Sequence, residues 1–373
     1  MLSQPPLWLI VIAFILAIGP LVFIHEMGHF LVGRLFGVGA ETFSIGFGRE
    51  ITGWTDRRGT RWKVGWLPLG GYVRFVGDEL HAGAAEDSAV SSRDDSFAGK
   101  PVWQRFLIVL AGPMSNFLLA IIIFAGFFAA FGIPRTPNVV TGLQPGSAAQ
   151  LAGIQQGDQI EAVAGQRTSS FEDIQRIVSL RPGEDVALRI SRAGQPRVLR
   201  ARLGVSEQKD RFGQKFHLGL LGIFADGREL ESVPATQLIP EGGRYTWAMT
   251  RTTIDGLWQI ITGRRSTDDL GGPLKMAQIA GQQASLGAFE FIQLLALFSI
   301  NLGFINLLPV PMLDGGHLVF YAAEAIRRRP VSVRAQEWAF RGGLALLLAL
   351  LAFTTLNDLG SFGLWERLGR LIG

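Results

Sequence analysis

The chain has 373 residues, 48% of them hydrophobic, with 35 Lys and Arg against 31 Asp and Glu and a formal charge of +4. Long apolar runs separated by mixed segments exclude a single soluble globule and indicate a polytopic α-helical membrane protein carrying a soluble part. The absence of cysteine excludes disulfides and thiolate metal sites, and basic residues set beside apolar runs, forming no stripe, point to membrane lipid and away from nucleic acid.

Residues 1–33 are read as a first transmembrane helix. The run is almost wholly apolar as far as His25 and long enough to cross a hydrocarbon core of roughly 30 Å. It has no basic leader region and carries a metal-type motif where a cleavage site would be, so it is expected to be retained, with Pro20 kinking it just before the motif. Phe23-Ile24-His25-Glu26-Met27-Gly28-His29 sets two imidazoles four residues apart on one helical face, where they can grip one zinc ion. Glu26, beside the first of them, can take a proton from an activated water and hand it to a leaving amine. Two histidines and a carboxylate are costly at membrane depth, which marks a functional site by default. The blander reading is a chance match in a soluble helix.

Residues 34–101 are polar and basic and therefore cytoplasmic, which places the N-terminus outside. Within them, 54–76 mixes aromatic, β-branched and turn-forming residues and is read as a hairpin dipping into the membrane interface. Its edge could pair with an extended substrate segment, or the hairpin could simply rest on lipid. The Ala-, Ser- and Asp-rich stretch 79–95 is read as a flexible loop. A second transmembrane helix is expected over 102–132, with small residues at Ala111-Gly112-Pro113 permitting close packing and Asn116 either positioning the site or making an interhelical bond.

Residues 134–228 turn soluble. The turn-rich run from Pro145 to Ile160 closely resembles the central signature of bacterial PDZ domains, and a helix over 170–180 followed by two strands fits that order. Such an α+β domain binds extended chains or C-terminal carboxylates by strand addition, or else fills space as a size filter. Residues 229–288 are read as a helical segment, with 245–261 either an interfacial helix or an ordinary packed one. A third transmembrane helix is expected over 289–320, ending in Asn301-Leu302-Gly303-Phe304-Ile305-Asn306-Leu307-Leu308-Pro309-Val310-Pro311-Met312-Leu313-Asp314-Gly315-Gly316-His317.

A catalytic zinc site usually takes three protein ligands and one open position. Asp314 is the best candidate third, lying among prolines and glycines that break a membrane helix and free backbone to line a cavity. Asp314 as the cap of a following helix is the structural alternative, and His317 is the rival ligand. A basic loop at 321–341, a short fourth transmembrane helix at 342–358 and an outer tail at 359–373 complete the reading.

Together, His25-Glu26-Met27-Gly28-His29, Ala111-Gly112-Pro113 with Asn116, one PDZ signature and Asn306 through Gly316 resemble the site-2 protease family over nearly the whole chain. Enteric members carrying two tandem PDZ domains differ from this chain, which has one clear signature. The segment 212–241 is either the end of that domain or a remnant of a second. The resemblance implies zinc held by His25, His29 and Asp314, with Glu26 as general base and then acid. It also implies substrate contacts from Asn301, Asn306 and Pro311, a membrane-re-entrant β element bearing Val64, Gly65, Trp66, Gly70, Gly71 and Tyr72, and a gate near Gly271-Gly272-Pro273. The activity implied is that of an intramembrane zinc metalloendopeptidase of the bacterial inner membrane, its active site toward the cytoplasmic leaflet and its PDZ domain in the periplasm. Implied substrates are single-span proteins, such as anti-sigma factors or signal-peptide remnants, already trimmed by an upstream site-1-type protease. The alternatives are a catalytically silent PDZ-bearing scaffold and a metal-ion transporter.

Overall fold

The computed structural model describes residues 5–77, 94–179, 181–209, 215–227, 229–262 and 271–361. The loop expected over 79–95 and the tail expected over 359–373 lie for the most part outside these described residues. In chain order the described α-helices are α1 Leu7–Leu35, α2 Val102–Phe131, α3 Ala148–Leu151, α4 Phe171–Ser179, α5 Leu238–Ile261, α6 Pro273–Leu286, α7 Ala288–Asn306, α8 Asp314–Arg327 and α9 Val333–Ser361. The strands are β1 Ala40–Thr55, β2 Arg61–Phe75, β3 Ile133–Arg135, β4 Gly142–Leu143, β5 Gln159–Val163, β6 Gln166–Arg167, β7 Asp185–Arg192, β8 Gln195–Arg202, β9 Gly204–Lys209, β10 Lys215–Leu220, β11 Ile223–Phe224 and β12 Glu229–Glu231. The chain divides into two compact units, one of Met1–Phe124, Ile239–Ile254 and Asp268–Gly373, the other of Ala125–Leu238 and Asp255–Thr267.

Among the described residues, four helices of the chain are long and apolar enough to cross a membrane: α1, α2, α7 and α9. In the first unit α1 is the axis. Ala13, Ala17, Leu21, His25 and His29 are its buried residues at a spacing of four, which keeps one helical face turned inward. The N-terminal part of that face packs through Ala13, Ala17 and Leu21 against Ala280, Leu294 and Phe298 of α6 and α7. Lipid tails are as apolar as leucine, so close van der Waals packing between small residues holds such helices together. Gly281 shows how close: a Cβ there would stand 2.9 Å from the Cα of Ile10. The other end of α1 stops in a Schellman turn, with Gly37 at φ +71°, the Val38 N–H donating to the Gly33 carbonyl (2.9 Å) and the Gly37 N–H to that of Arg34 (3.1 Å).

The hairpin begins earlier than expected, at Ala40, and is more than two strands laid side by side. Phe43 faces both Val73 and Trp62, and Ile45 faces both Gly71 and Val64. Both strands therefore bend, and four segments lie in the order 50–55, 61–65, 40–45, 71–75. The bends fall at Gly46, Gly48 and Gly70, all with φ near +90°, a region open to glycine at little steric cost. Phe43 is fully buried and stacks on Trp62 at 4.5 Å, anchoring the folded sheet to α1 through Phe30 at 5.5 Å.

Two helix boundaries correct the sequence reading. The third helix, expected over 289–320, ends at Asn306, and a separate helix, α8, starts at Asp314. Pro309 and Pro311 cannot donate backbone hydrogen bonds and force the break, and the connecting turn holds Met312 at φ +85°. The fourth helix, expected over 342–358, starts at Val333 and runs 29 residues. Its first three turns carry Arg334, Glu337 and Arg341, good helix formers that an apolar-run criterion overlooks.

In the second unit, β6, β5, β7 and β8 form a four-stranded antiparallel sheet in that order. The buried core includes Ile160, Ile174, Ile177, Leu188 and Ile190. Helix α4 falls within the span expected for it, between the signature run and the two long strands. The segment 212–241 contains β10, β11 and β12, which pair with β9, β4 and β3 of this same unit, so the described part of it up to β12 completes the one domain. The signature turn is clamped by Asp158, whose side chain is 1% exposed. Its carboxylate accepts from Arg192 Nε (2.8 Å) and a terminal guanidinium nitrogen (2.7 Å) and from the Gln155 N–H (2.8 Å).

The Arg192 guanidinium holds the Asp158 carboxyl below the usual carboxylate range. A carboxyl depressed in the folded state stabilises fully above its unfolded value, and that contribution is lost as pH falls through the lower folded value. Arg192→Met leaves a buried carboxylate without its partner and is expected to cost about 3 kcal/mol. The check is hydrogen–deuterium exchange at pH 7, where β5 and β7 amides of the variant should exchange faster. In the native protein the same amides should lose protection on acidification below about pH 4.

Candidate metal centre

The two histidines and Asp314 meet. His25 Nε2 lies 3.1 Å and His29 Nε2 3.5 Å from Asp314 Oδ2, and the two Nε2 atoms are 3.3 Å apart. Donors about 2.0 Å from a tetrahedral zinc stand about 3.3 Å from one another, so all three separations match one shared ion. The donor chemistry agrees. His25 and His29 are buried, and Asp314 Oδ2 is a buried carboxylate oxygen with no hydrogen-bond partner beyond the two imidazoles it faces. An anionic oxygen in that position is costly unless a cation neutralises it.

Each donor is placed by a different neighbour. His29 Nδ1–H donates to the carbonyl of Ile108 on α2 (2.9 Å); a carbonyl only accepts, so Nε2 keeps its lone pair for the centre. The His29 ring lies against α2 where Gly112 has no side chain, and a Cβ there would overlap the imidazole. Gly28, between the histidines, does the same on the other side of the crossing: its Cβ would meet the Ala111 carbonyl and stand 2.9 Å from Ser115 Cβ. Ser115 Oγ closes the contact on the Ile24 carbonyl at 2.8 Å. His25 Nδ1 faces the Asn116 carboxamide at 3.1 Å.

Asp314 is the first residue of α8, whose cap position is Leu313 with no side-chain cap bond. The capping alternative therefore fails, and the carboxylate is turned to the histidines. The turn before it is tightly wound: a Cβ on Gly315 would collide with the Leu307 and Leu308 carbonyls, and one on Gly316 would stand 2.7 Å from Pro311 Cα. Helix α8 is tied to α2 by the half-buried pair Arg105–Glu324 (2.8 Å), with the Arg105 guanidinium over the Tyr321 ring at 5.0 Å. His317, the rival ligand, is outside the converging group, and its ring packs on Phe340 at 5.2 Å.

Of the remaining candidates, Gly71 lies beside Glu26: a Cβ on it would stand 3.4 Å from Glu26 Cγ and 2.8 Å from the Ser44 carbonyl. Among the described residues, segment 71–75 pairs on one side only. Val64 and Gly65 lie inside the folded sheet, Trp66 is 62% exposed, Gly70 closes on Phe47 and Tyr72 stacks on Phe47 at 6.2 Å. Asn306 is the last residue of α7. The carboxamide oxygen of Asn301 accepts from Thr253 Oγ1 (3.3 Å). The Ile108 carbonyl and the Arg105–Glu324 tie escaped the sequence reading. A backbone acceptor leaves no residue signature, whereas Glu324 in an otherwise largely apolar helix was a usable signal.

The profile of peptidase family M50 matches residues 13–350. A protein of Agrobacterium fabrum named, by inference, as a zinc metalloprotease is 44% identical over 361 residues, covering 94% of this chain and 96% of its own. A similarly named protein of Rhizobium meliloti is 43% identical over 348 residues, covering 91% and 93%. Metalloprotease MmpA of Caulobacter vibrioides is 35% identical over 391 residues, covering 97% and 98%. The PDZ domain of an SdrC-like protein from Listeria innocua, solved as a crystal structure, aligns to 26% of this chain and 99% of its own at 18% identity, with a TM-score of 0.20.

Gly112→Ala is expected to push the His29 imidazole out of the converging set. Purified protein should retain less than half the zinc of wild type by elemental analysis, while Gly19→Ala, where nothing lies within 4 Å, should retain it all.

Proposed function

The chain belongs to peptidase family M50 and is a zinc metalloprotease, and from that premise we propose that it cuts the transmembrane segments of single-span proteins inside the membrane. In this reading His25, His29 and Asp314 hold the zinc and Glu26 is the general base. The observation that carries it is the meeting of three ligand atoms, all within 4.8 Å of one another, two of them on α1, a helix long and apolar enough to cross a bilayer. Zinc, when bound, supplies a Lewis acid that polarises the scissile carbonyl.

The protein's own groups do the rest. Glu26, next to His25 on α1, removes the proton of the attacking water and returns it to the leaving amine. A helical substrate hides its amides in its own hydrogen bonds and must unwind before attack. Segment 71–75, open on one side and adjoining Glu26, offers backbone groups to which an unwound strand can pair, which offsets part of that cost. Val64, Gly65, Trp66, Gly70 and Tyr72 shape this sheet, and Asn301, Asn306 and Pro311 contact the substrate from the α7–α8 side. The basic residues of 34–101 and 321–341 support a cytoplasmic position for those loops. They thereby support an inner-membrane protein with its centre toward the cytoplasmic leaflet and its PDZ-like unit in the periplasm. That unit favours substrates already shortened by an upstream protease, such as anti-sigma factors or signal-peptide remnants.

Co-expression with a tagged one-span reporter tests the assignment. Glu26→Gln should reduce cleavage at least about 100-fold while leaving bound zinc unchanged, and His25→Ala should lose both. Cleavage at the wild-type rate by either variant would overturn these roles.

A further inference from the structure

A histidine that ligates through Nε2 must carry its proton on Nδ1, and that proton needs an acceptor. His29 has one in the Ile108 carbonyl. For His25, the group facing Nδ1 is the Asn116 side chain, with its nitrogen at 3.1 Å. A carboxamide nitrogen only donates. In that orientation Nδ1 must be the acceptor, the ring proton sits on Nε2, and Nε2 has no lone pair to offer. Meanwhile Asn116 Oδ1 is buried without a hydrogen-bond partner. The two ends of a carboxamide exchange places on a half-turn and are assigned from their surroundings.

Resting on the reading of His25 as a zinc ligand, we propose that Asn116 is the positioning residue for His25. In the zinc-binding form its carboxamide oxygen accepts the His25 Nδ1 proton and so selects the tautomer that ligates. The side chain is well placed for this. Asn116 is fully buried, and its own backbone carbonyl accepts from Ser299 Oγ on α7 at 2.7 Å. One residue earlier, Ser115 ties α2 to the Ile24 carbonyl beside His25. Helices α1, α2 and α7 therefore converge on this amide. Its two ends amount to a choice: oxygen toward the ring favours a metal ligand, and nitrogen toward the ring favours an imidazole protonated at Nε2.

The test measures zinc affinity of the full-length protein in detergent micelles by competition with a chromophoric chelator. Asn116→Leu, similar in size but without an acceptor, should weaken zinc binding about 10- to 100-fold. Asn116→Asp offers acceptor oxygens only and should bind zinc within about threefold of wild type or more tightly, because a carboxylate behind a ligating histidine raises its basicity. A merely structural role predicts the reverse order, since a buried charge on α2 is more disruptive than a leucine. Wild-type affinity in Asn116→Leu, or a loss in Asn116→Asp as large as in Asn116→Leu, would overturn the proposal. If Asn116→Leu does not fold, Asn116→Asp decides alone, a tenfold loss refuting it. His25→Ala separates the two readings: were it to bind zinc like wild type, the ligand assignment itself would fail, whatever the Asn116 variants show.

Discussion

Two imidazoles and a carboxylate brought within hydrogen-bonding range of one another, among apolar helices, form an arrangement that is unfavourable on its own terms. The carboxylate oxygen has lost its water and faces only the two imidazoles in exchange, and the medium around it screens poorly. A divalent cation reverses that balance. Three parts of the first unit keep the donors together: α1 presents the histidines, α2 backs them, and the proline-broken turn between α7 and α8 delivers the aspartate.

Such precision needs helices that approach almost backbone to backbone, and glycine supplies the approach. Gly28 and Gly112 let α1 and α2 meet where the His29 ring must lie, and Gly315 and Gly316 let the turn before α8 fold onto itself. Gly343 allows α9 to come up against Pro311, whose carbonyl it would otherwise strike. These contacts gain dispersion energy, and they also leave the donors few alternative positions. Asp358, buried on α9, does comparable work at the N-terminus of α6, accepting from the N–H groups of Gly272 (2.9 Å) and Lys275 (3.0 Å). It supplies an acceptor for two of the orphan amides at that helix start.

Much of the site was legible in the sequence because its signals are local. An i, i+4 histidine pair needs only a helix to face one way, and a carboxylate set among prolines and glycines announces irregular backbone. The helices α1 and α2 were equally plain from unbroken apolar runs. What resisted reading depends on long-range contacts. The folded hairpin pairs one strand with both halves of its partner, which no alternation pattern encodes. The split between α7 and α8 hinged on how far a proline break extends, and the start of α9 was hidden by its charged first turns. The Ile108 carbonyl and the Asn116 amide matter through where they point, and only the packed helices decide that.

The histidines lie near the beginning of the polypeptide and Asp314 belongs to its last fifth. During synthesis the ribosome lays α1, α2 and the hairpin into place long before the residue that completes the donor set exists. A centre assembled this way lacks its third donor until α8 has been made and has reached the histidines.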